Sequence, residues 1–272
     1  GIDTFRAAGG LWEQYPVEQV ATPEGFAADP ALIHHFYNLP RAALTTVEPN
    51  AAHFALAKLQ AEHASDVLIV TQNVDDLHER GGARNVLHMH GELTSMLCGA
   101  CEHRWEERAD TAHTDPCPAC QTPATRPDIV WFGEMPYQME RIEAALAACD
   151  LFVSIGTSGA VYPAAGFVRD ARELGVETLE LNLERSEGSA WFAETLVRHD
   201  AAKPVVAFLA DDGDDGPRVQ VQVDVVEHDS LAAWIRERHT AQRDPRVQSV
   251  RDVVLNGTAS RLDQPLEPQQ SL

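Results

Sequence analysis

Four of the five cysteines fall into two pairs, Cys98/Cys101 and Cys117/Cys120, spaced C-x2-C-x15-C-x2-C. Each CxxC turn can present two thiolates to one ion, and two such turns complete a tetrahedral sulfur shell suited to Zn²⁺. A filled shell leaves no position for a substrate, so the zinc is expected to be structural. The alternatives are four unrelated thiols or a redox pair, and the paired spacing favours the metal. His103 and His113 lie in the same stretch, but four sulfurs make them unnecessary. Cys149 ends a run with Met139, Ile142 and Leu146 at helical spacing and reads as a core cysteine.

A second group of residues suits acid–base chemistry. His90 precedes Gly91 at the end of the apolar run VLHM, where an imidazole can act as a general base near neutral pH. A lone histidine is more often packed or solvated, so its context must decide. Three polar loops supply that context: QNVDDLH after VLIVT, GTSGAVYP after LFVSI and NLERSEG after VETLEL. Loops that follow the carboxyl ends of strands build ligand sites in open α/β sheets, and three at one edge suggest an extended ligand such as a dinucleotide. Gly156, Thr157 and Ser158 can hold phosphate through N–H groups and hydroxyls at a helix start, or simply cap that helix. Glu184 can take ribose hydroxyls.

The elements that must position these groups follow from the hydrophobic pattern. VLIVT (67–71) is a short β-branched run, as expected of a parallel strand covered on both faces. A second strand is expected at VLHM (86–89). Helix-patterned segments lead into LFVSI and VETLEL, and this alternation indicates a doubly wound α/β sheet. Thr22 and Pro23 open a helix that runs through Phe36 and breaks near Pro40. Asn50 caps a helix whose expected apolar face is Phe54, Leu56 and Leu59 with alanines. Residues 93–126 break the rhythm and are expected to form an inserted zinc module. The large domain then comprises 1–92 and 127–210. Residues 211–272 read as an acidic, partly disordered extension, in which VQVQVDVVEH alternates as a strand and SLAAWIRERHTA suits a helix.

Composition narrows the function. The formal charge is −21, from 42 acidic and 21 basic residues, so direct nucleic-acid binding, which needs a basic footprint, is not expected. An acidic surface attracts lysine-rich peptides, although acidity also serves solubility. No run of apolar residues is long enough for a membrane span and no secretion signal is visible. Paired thiols in such a chain point to a reducing, cytoplasmic setting.

These pieces together resemble the sirtuin family of NAD-dependent protein-lysine deacylases. The matching motifs, in order, are TFRAAGGLW (4–12), TQNVDDLH (71–78), HMHGEL (88–93), the two CxxC pairs, VWFGE (130–134), GTSGAVYPAA (156–165) and NLE (182–184). The likeness runs from Gly1 to about residue 210 and is nearest to bacterial members grouped with deacylases of succinyl-type lysines. It implies a large Rossmann-like domain and a small zinc domain, with NAD and an acyl-lysine protein meeting between them. By family pattern, His90 is the general base. Gln72 and Asn73 hold the nicotinamide ribose, with Asn73 also serving catalysis, and Asp75 binds the nicotinamide amide. Phe5 and Arg6 cover the reactive ribose. Gly156, Thr157 and Ser158 hold phosphate, and Asn182 and Glu184 hold the adenosine side. Val130, Trp131, Phe132, Gly133 and Glu134 pair with substrate backbone as an added strand.

The chain departs from that pattern in three places. The family's opening strand and Gly-rich phosphate loop would fall before Gly1. The acyl-acid pair Tyr-x-x-Arg is replaced by Tyr37 followed by Pro40, with Arg41 one position late; Arg41 can stand in if the helix kinks there, and Ala8 matches the small residue that widens the acyl pocket. Residues 211–272 have no counterpart in the family core. Removal of acetyl groups is therefore expected, with succinyl or malonyl groups as a weaker expectation. A catalytically silent NAD-binding module and an NAD-dependent protein ADP-ribosyltransferase remain alternatives. A plain zinc-ribbon interaction module needs none of the QNxD, HG and GTS motifs.

Overall fold

The computed structural model describes residues 15–63, 65–197 and 219–223. Phe5, Arg6, Ala8 and the helix expected at SLAAWIRERHTA lie outside the described residues. The helices are α1 (Val17–Val20), α2 (Pro23–Ala28), α3 (Pro30–Ala43), α4 (Ala51–Glu62), α5 (Leu77–Arg80), α6 (Met139–Ala148) and α7 (Phe167–Glu173). The strands are β1 (Val67–Thr71), β2 (Val86–His88), β3 (Gly91–Cys98), β4 (Arg104–Glu106), β5 (Thr125–Ile129), β6 (Leu151–Ile155), β7 (Glu177–Asn182), β8 (Glu194–Val197) and β9 (Val219–Val223). Among the described residues, no helix is long and apolar enough to cross a membrane.

Two sheets organise the chain. The larger has the order β2-β1-β9-β6-β7-β8 and all its pairings are parallel. The chain runs outward from β1 to β2 on one side and from β6 through β7 to β8 on the other. The strand order therefore reverses at β9, which makes β9 the topological switch point of a Rossmann-like sheet. The register puts Thr71, Val223, Ile155 and Leu181 level across the sheet. The loops after β1, β6 and β7 thus leave from one edge, as the three-loop pattern predicts.

The place of β9 differs from the expectation that residues beyond 210 stand apart. Five of them form the central strand, with Val219–Val223 pairing Val67–Thr71 on one side and Leu151–Ile155 on the other. The alternation VQVQV was legible as a strand. Its position was not, because central parallel strands usually read as continuous apolar runs.

The smaller sheet, β4-β3-β5, is antiparallel and carries the cysteines. It spans Gly91 to Ile129, reaching past the expected 93–126 at both ends. One apolar cluster packs Leu68, Val70, Leu87 and Phe152 of the large sheet against Ile142 and Leu146 of α6 and Phe167 and Val168 of α7, with Cys149 among them as expected. A second joins Val20, Ile33, Phe36 and Tyr37 to Leu93, Ile129 and Trp131, tying α1 and α3 to the small sheet.

Two helix details correct the sequence reading. Thr22 caps α2 by accepting from Gly25 N, and Asp29 then caps a separate helix by accepting from Leu32 N. That helix continues through Pro40 to Ala43. An interior proline costs a helix about 3 kcal/mol, and burial of Ile33, Phe36 and Tyr37 along the same helix offsets it. In α4, Asn50 and His53 form a capping box, and Ala52, Ala55, Leu56 and Leu59 face inward. Phe54 is 53% exposed, because at about 100° per residue it points away from that face.

Helix α4 also brings His53 against His78 of α5, with ring centroids 4.8 Å apart. Both are fully buried, and neither His53 Nε2 nor either His78 nitrogen has a hydrogen-bond partner. Burial holds their pKa values down, to about 4 for His53 and about 3 for His78, with the nearby His53 ring adding to the effect on His78. Both imidazoles are therefore neutral in the fold and take up protons on unfolding near pH 6.5. The unfolded chain binds more protons across the window from about 6.5 down to about 4, so stability falls as pH falls through it. Each proton contributes about 1.4 kcal/mol per pH unit within that window. Urea unfolding between pH 7 and pH 5 should show this loss, and His78→Leu should flatten it. An unchanged slope in that variant would remove His78 from the account.

Candidate active site and zinc centre

The four sulfurs converge. All lie within 4.8 Å of one another, with Cys98 and Cys120 3.6 Å apart and Cys101 and Cys117 3.7 Å apart. A tetrahedron with metal–sulfur bonds of about 2.3 Å has edges of about 3.8 Å, so the cluster fits Zn²⁺. The two knuckles repeat one geometry. Cys98 N donates to His103 O and Cys117 N to Thr122 O, while Glu102 and Gln121 both take φ of 60°. His103 and His113 are not in the cluster. Cys98 and Cys117 are buried and Cys101 and Cys120 exposed, so the ion would be closed off by protein on one side only. Chelation should strip one zinc per chain and melt the β3–β5 module, lowering Tm and abolishing turnover, because structural zinc carries folding energy. Full activity and an unchanged Tm in metal-free protein would contradict a structural zinc.

At the carboxyl edge of the large sheet, loop 72–76 is fastened to the strand beside it. Met89 N donates to Thr71 O and Leu93 N to Val74 O. Asn73 N donates to Thr71 Oγ1 and Leu77 N to Asp75 Oδ1. His90 Nδ1 lies 3.2 Å from Gln72 O. A carbonyl only accepts, so Nδ1 carries the proton and Nε2 keeps its lone pair. Burial lowers the His90 pKa below its ordinary value, which favours this neutral form, and the hydrogen bond to Gln72 only partly opposes it. Burial pushes the Asp75 carboxyl upward, while its bond from Leu77 N and the nearby His88 pull it down.

Gly91 explains why a glycine must follow His90. It sits at φ +83°, and a Cβ there would lie 2.0 Å from Asp128 O. At this crossing the chain passes from the large sheet into the small one, and His90 O accepts from Val130 N across it. His90 therefore stands at the seam between the sheet edge and the zinc module.

The segment 130–134 is held from inside. The N–H groups of Val130, Phe132 and Glu134 go to His90 O, Ala21 O and Trp131 O, and Trp131 N donates to Glu134 Oε2. An added substrate strand would thus meet mainly carbonyls and Gly133. Phe132 is exposed and Trp131 buried. Glu134 is not free to meet substrate, because Arg126 binds both its oxygens at 2.7 and 2.9 Å. The same guanidinium lies 3.4 Å over the Trp131 ring.

Tyr37 and Arg41 do not form a joint carboxylate receptor. The Tyr37 hydroxyl accepts from Trp131 Nε1. Arg41 is 2% exposed and donates to Leu93 O, Asn38 Oδ1, Thr111 Oγ1 and Met96 Sδ. The helix runs on through Pro40 without a break, and the guanidinium is spent on Leu93 and Met96 of the small sheet and on Asn38 and Thr111.

The GTS loop also differs from the expectation of a helix start. Gly156, at φ +69°, donates its N–H to Leu181 O, and Ser158 Oγ accepts from Ala160 N. The next helical turn begins only at Ala164. Any phosphate contact here comes from a loop and not from a helix dipole. Asn182 Nδ2 donates to Thr157 O at 2.7 Å, joining the ends of β6 and β7. Glu184 is exposed beside them.

Sequence reasoning missed Arg126, Glu79 and His88. Arg126 carried no signal of its own, but HMH carried one: residues two apart at a strand end share a side, so His88 can reach the loop that His90 reaches.

Comparison with known proteins agrees with this arrangement. The Sir2 family model matches residues 1–163. An "NAD-dependent protein deacylase" of Vibrio cholerae is 55% identical over 197 residues, 71% of this chain and 80% of its own length. A protein of the same name from Salmonella typhimurium is 53% identical over 71% of this chain and 72% of its own. A Sir2 homologue solved in complex with NAD superposes with a TM-score of 0.66 at 34% identity, covering 72% of this chain and 77% of that one. A model match over more than half the chain, and relatives more than 50% identical across two thirds or more of both chains, make this protein a member of the Sir2 family.

Proposed function

We propose that the chain is an NAD-dependent protein-lysine deacylase in which His90 is the general base. The observation that carries the reading is the His90 imidazole, with Nδ1–H fixed on Gln72 O and Nε2 without a partner among the described residues, at the seam between the carboxyl edge of a Rossmann-like sheet and the zinc module. The names of its relatives support NAD as co-substrate. In this reading Gln72, Asn73 and Asp75 hold the nicotinamide half of NAD. Gly156, Thr157 and Ser158 hold phosphate, and Asn182 and Glu184 the adenosine side. The acyl-lysine peptide lies against 130–133, with Glu134 holding that segment through Arg126 and Trp131 N. The acyl oxygen attacks the anomeric carbon and nicotinamide leaves. His90 Nε2 takes the proton of a ribose hydroxyl, whose oxygen bonds to the acyl carbon. The lysine amine departs with that proton, and a water adds to the acyl carbon to complete the ester on the ribose. The products are the free lysine, nicotinamide and O-acyl-ADP-ribose. The amide is a poor nucleophile, so alignment supplies most of the acceleration. The four thiolates need a reducing compartment, which supports a cytoplasmic site of action.

The buried Arg41 bears on acyl choice. With its donors engaged, an acidic acyl group finds no free guanidinium on α3, and an uncharged acetyl group loses nothing. Peptides of one sequence carrying acetyl- or succinyl-lysine should give the higher kcat/KM for acetyl, by at least about tenfold, the worth of one charge-assisted hydrogen bond. A succinyl preference that Arg41→Met abolishes would overturn this assignment.

A further inference from the structure

The catalytic loop is held by two histidines, and their partners differ. His90 has one acceptor, Gln72 O. His88, two residues earlier, has two: Nδ1 lies 3.2 Å from Asn73 O and Nε2 2.9 Å from Glu79 Oε1. A carbonyl and an ionised carboxylate can only accept, so both His88 nitrogens must donate. Only the imidazolium can do that.

We propose that His88 is a positioning residue, held as a cation between Glu79 of α5 and the Asn73 carbonyl, which fixes the loop carrying Gln72, Asn73 and Asp75. The proposal rests on the deacylase reading for its consequence in turnover, although the charge state stands on the contacts alone. Adjacent carbonyls of one loop are thus gripped by a neutral base and by a cation. The pair divides the work: His90 keeps a lone pair for the substrate, and His88 spends both nitrogens on the scaffold.

The surroundings agree. His88 is 8% exposed. Burial opposes its charged form, but the hydrogen bond and charge of Glu79, the charge of Glu92 and the Asn73 carbonyl outweigh it and raise the pKa above the ordinary value. Glu79 moves the opposite way, as a true ion pair requires. Its burial pushes up, and the His88 contact brings it below the ordinary carboxylate range. The other titratable groups facing this pair are Asp75, whose carboxyl the His88 charge pulls down, and His78, which is neutral in the fold. Glu79 lines an open cavity of about 470 Å³ with Asp76, Glu92 and Arg108, so water and protons reach the pair from behind the loop.

The sign follows from the raised value. The cation's contribution is complete below the unfolded pKa of about 6.5 and is lost as pH rises through the folded value. His90 acts in the other direction, losing its lone pair as pH falls through its lowered value. The two histidines therefore bound a window of activity, His90 on the acid side and His88 on the alkaline side.

Glu79→Gln tests this, since it removes the charge, keeps the shape and changes a half-exposed residue. The His88 Cε1–H resonance of the full chain should titrate above 6.5 in the wild type and at lower pH in E79Q, while that of His90 stays below 6.5 in both. The alkaline limb of kcat should move to lower pH in E79Q, with kcat roughly tenfold lower than wild type at pH values between the two limbs and equal to it on the acid side of both. KM for the acyl peptide should not change. His88→Gln, with no charge to lose, should show a deficit independent of pH. A His88 midpoint at or below 6.5, or superimposed pH profiles for E79Q and wild type, would overturn the proposal. A wild type without peptide-dependent turnover would sink the deacylase reading instead, and the resonance titration would still decide the charge.

Discussion

His90→Ala should abolish peptide-dependent nicotinamide release while leaving the fold intact. A positioned base contributes typically about 10²–10⁴-fold, and no other described imidazole takes over: His88 has both nitrogens engaged and His78 is buried in α5. Among the described residues the imidazole makes one hydrogen bond, to Gln72 O, from a half-buried position. Its loss should therefore cost stability only about 1 kcal/mol. Rates and urea unfolding of the same preparation separate the two effects. A variant that keeps more than about a tenth of wild-type kcat would remove His90 as the base.

Gly91→Ala should be the most damaging single methyl in the seam. At φ +83° any side chain is strained, and here the new Cβ would lie 2.0 Å from Asp128 O and 3.0 Å from Ile129 Cα. These are backbone atoms of β5, which cannot rotate away. Asp128 is further fixed by Ser95, Arg104 and Tyr137. Relief requires β3 and β5 to separate where Gly91 pairs with Ile129, so the loss should exceed about 3 kcal/mol. Gly133→Ala is the control. It sits at φ +92° with nothing within 4 Å of its Cβ, so it should show the backbone strain alone, about 1–2 kcal/mol. Equal, small losses in both variants would mean that the close approach at Gly91 carries no energy.

Much of this was legible because local chemistry and global fold agree. The CxxC pairs declare a metal by spacing alone, and the structure brings the four sulfurs to tetrahedral distances. VLIVT declares a buried parallel strand by β-branching, LFVSI and VETLEL declare theirs by the helical segments that lead into them, and the loops after all three share one edge. The failures have physical causes. Pro40 suggests a break, but tertiary packing overrides the cost of one lost hydrogen bond. Arg41 suggests a carboxylate ligand, but only the fold reveals that Leu93, Asn38 and Thr111 consume its donors. Glu134 looks like part of a substrate strand, yet Arg126, eight residues earlier, claims its carboxylate. The polar alternation of Val219–Val223 gives no hint of the central slot between β1 and β6, because that slot is defined by partners about 70 and 150 residues away.

The most direct test of the central claim is nicotinamide release by the purified chain supplied with NAD, measured with and without an acetyl-lysine peptide. The account predicts release that depends on the peptide, matches deacetylated product mole for mole and disappears in His90→Ala. Release that proceeds equally without the peptide, or that persists in His90→Ala, would contradict it.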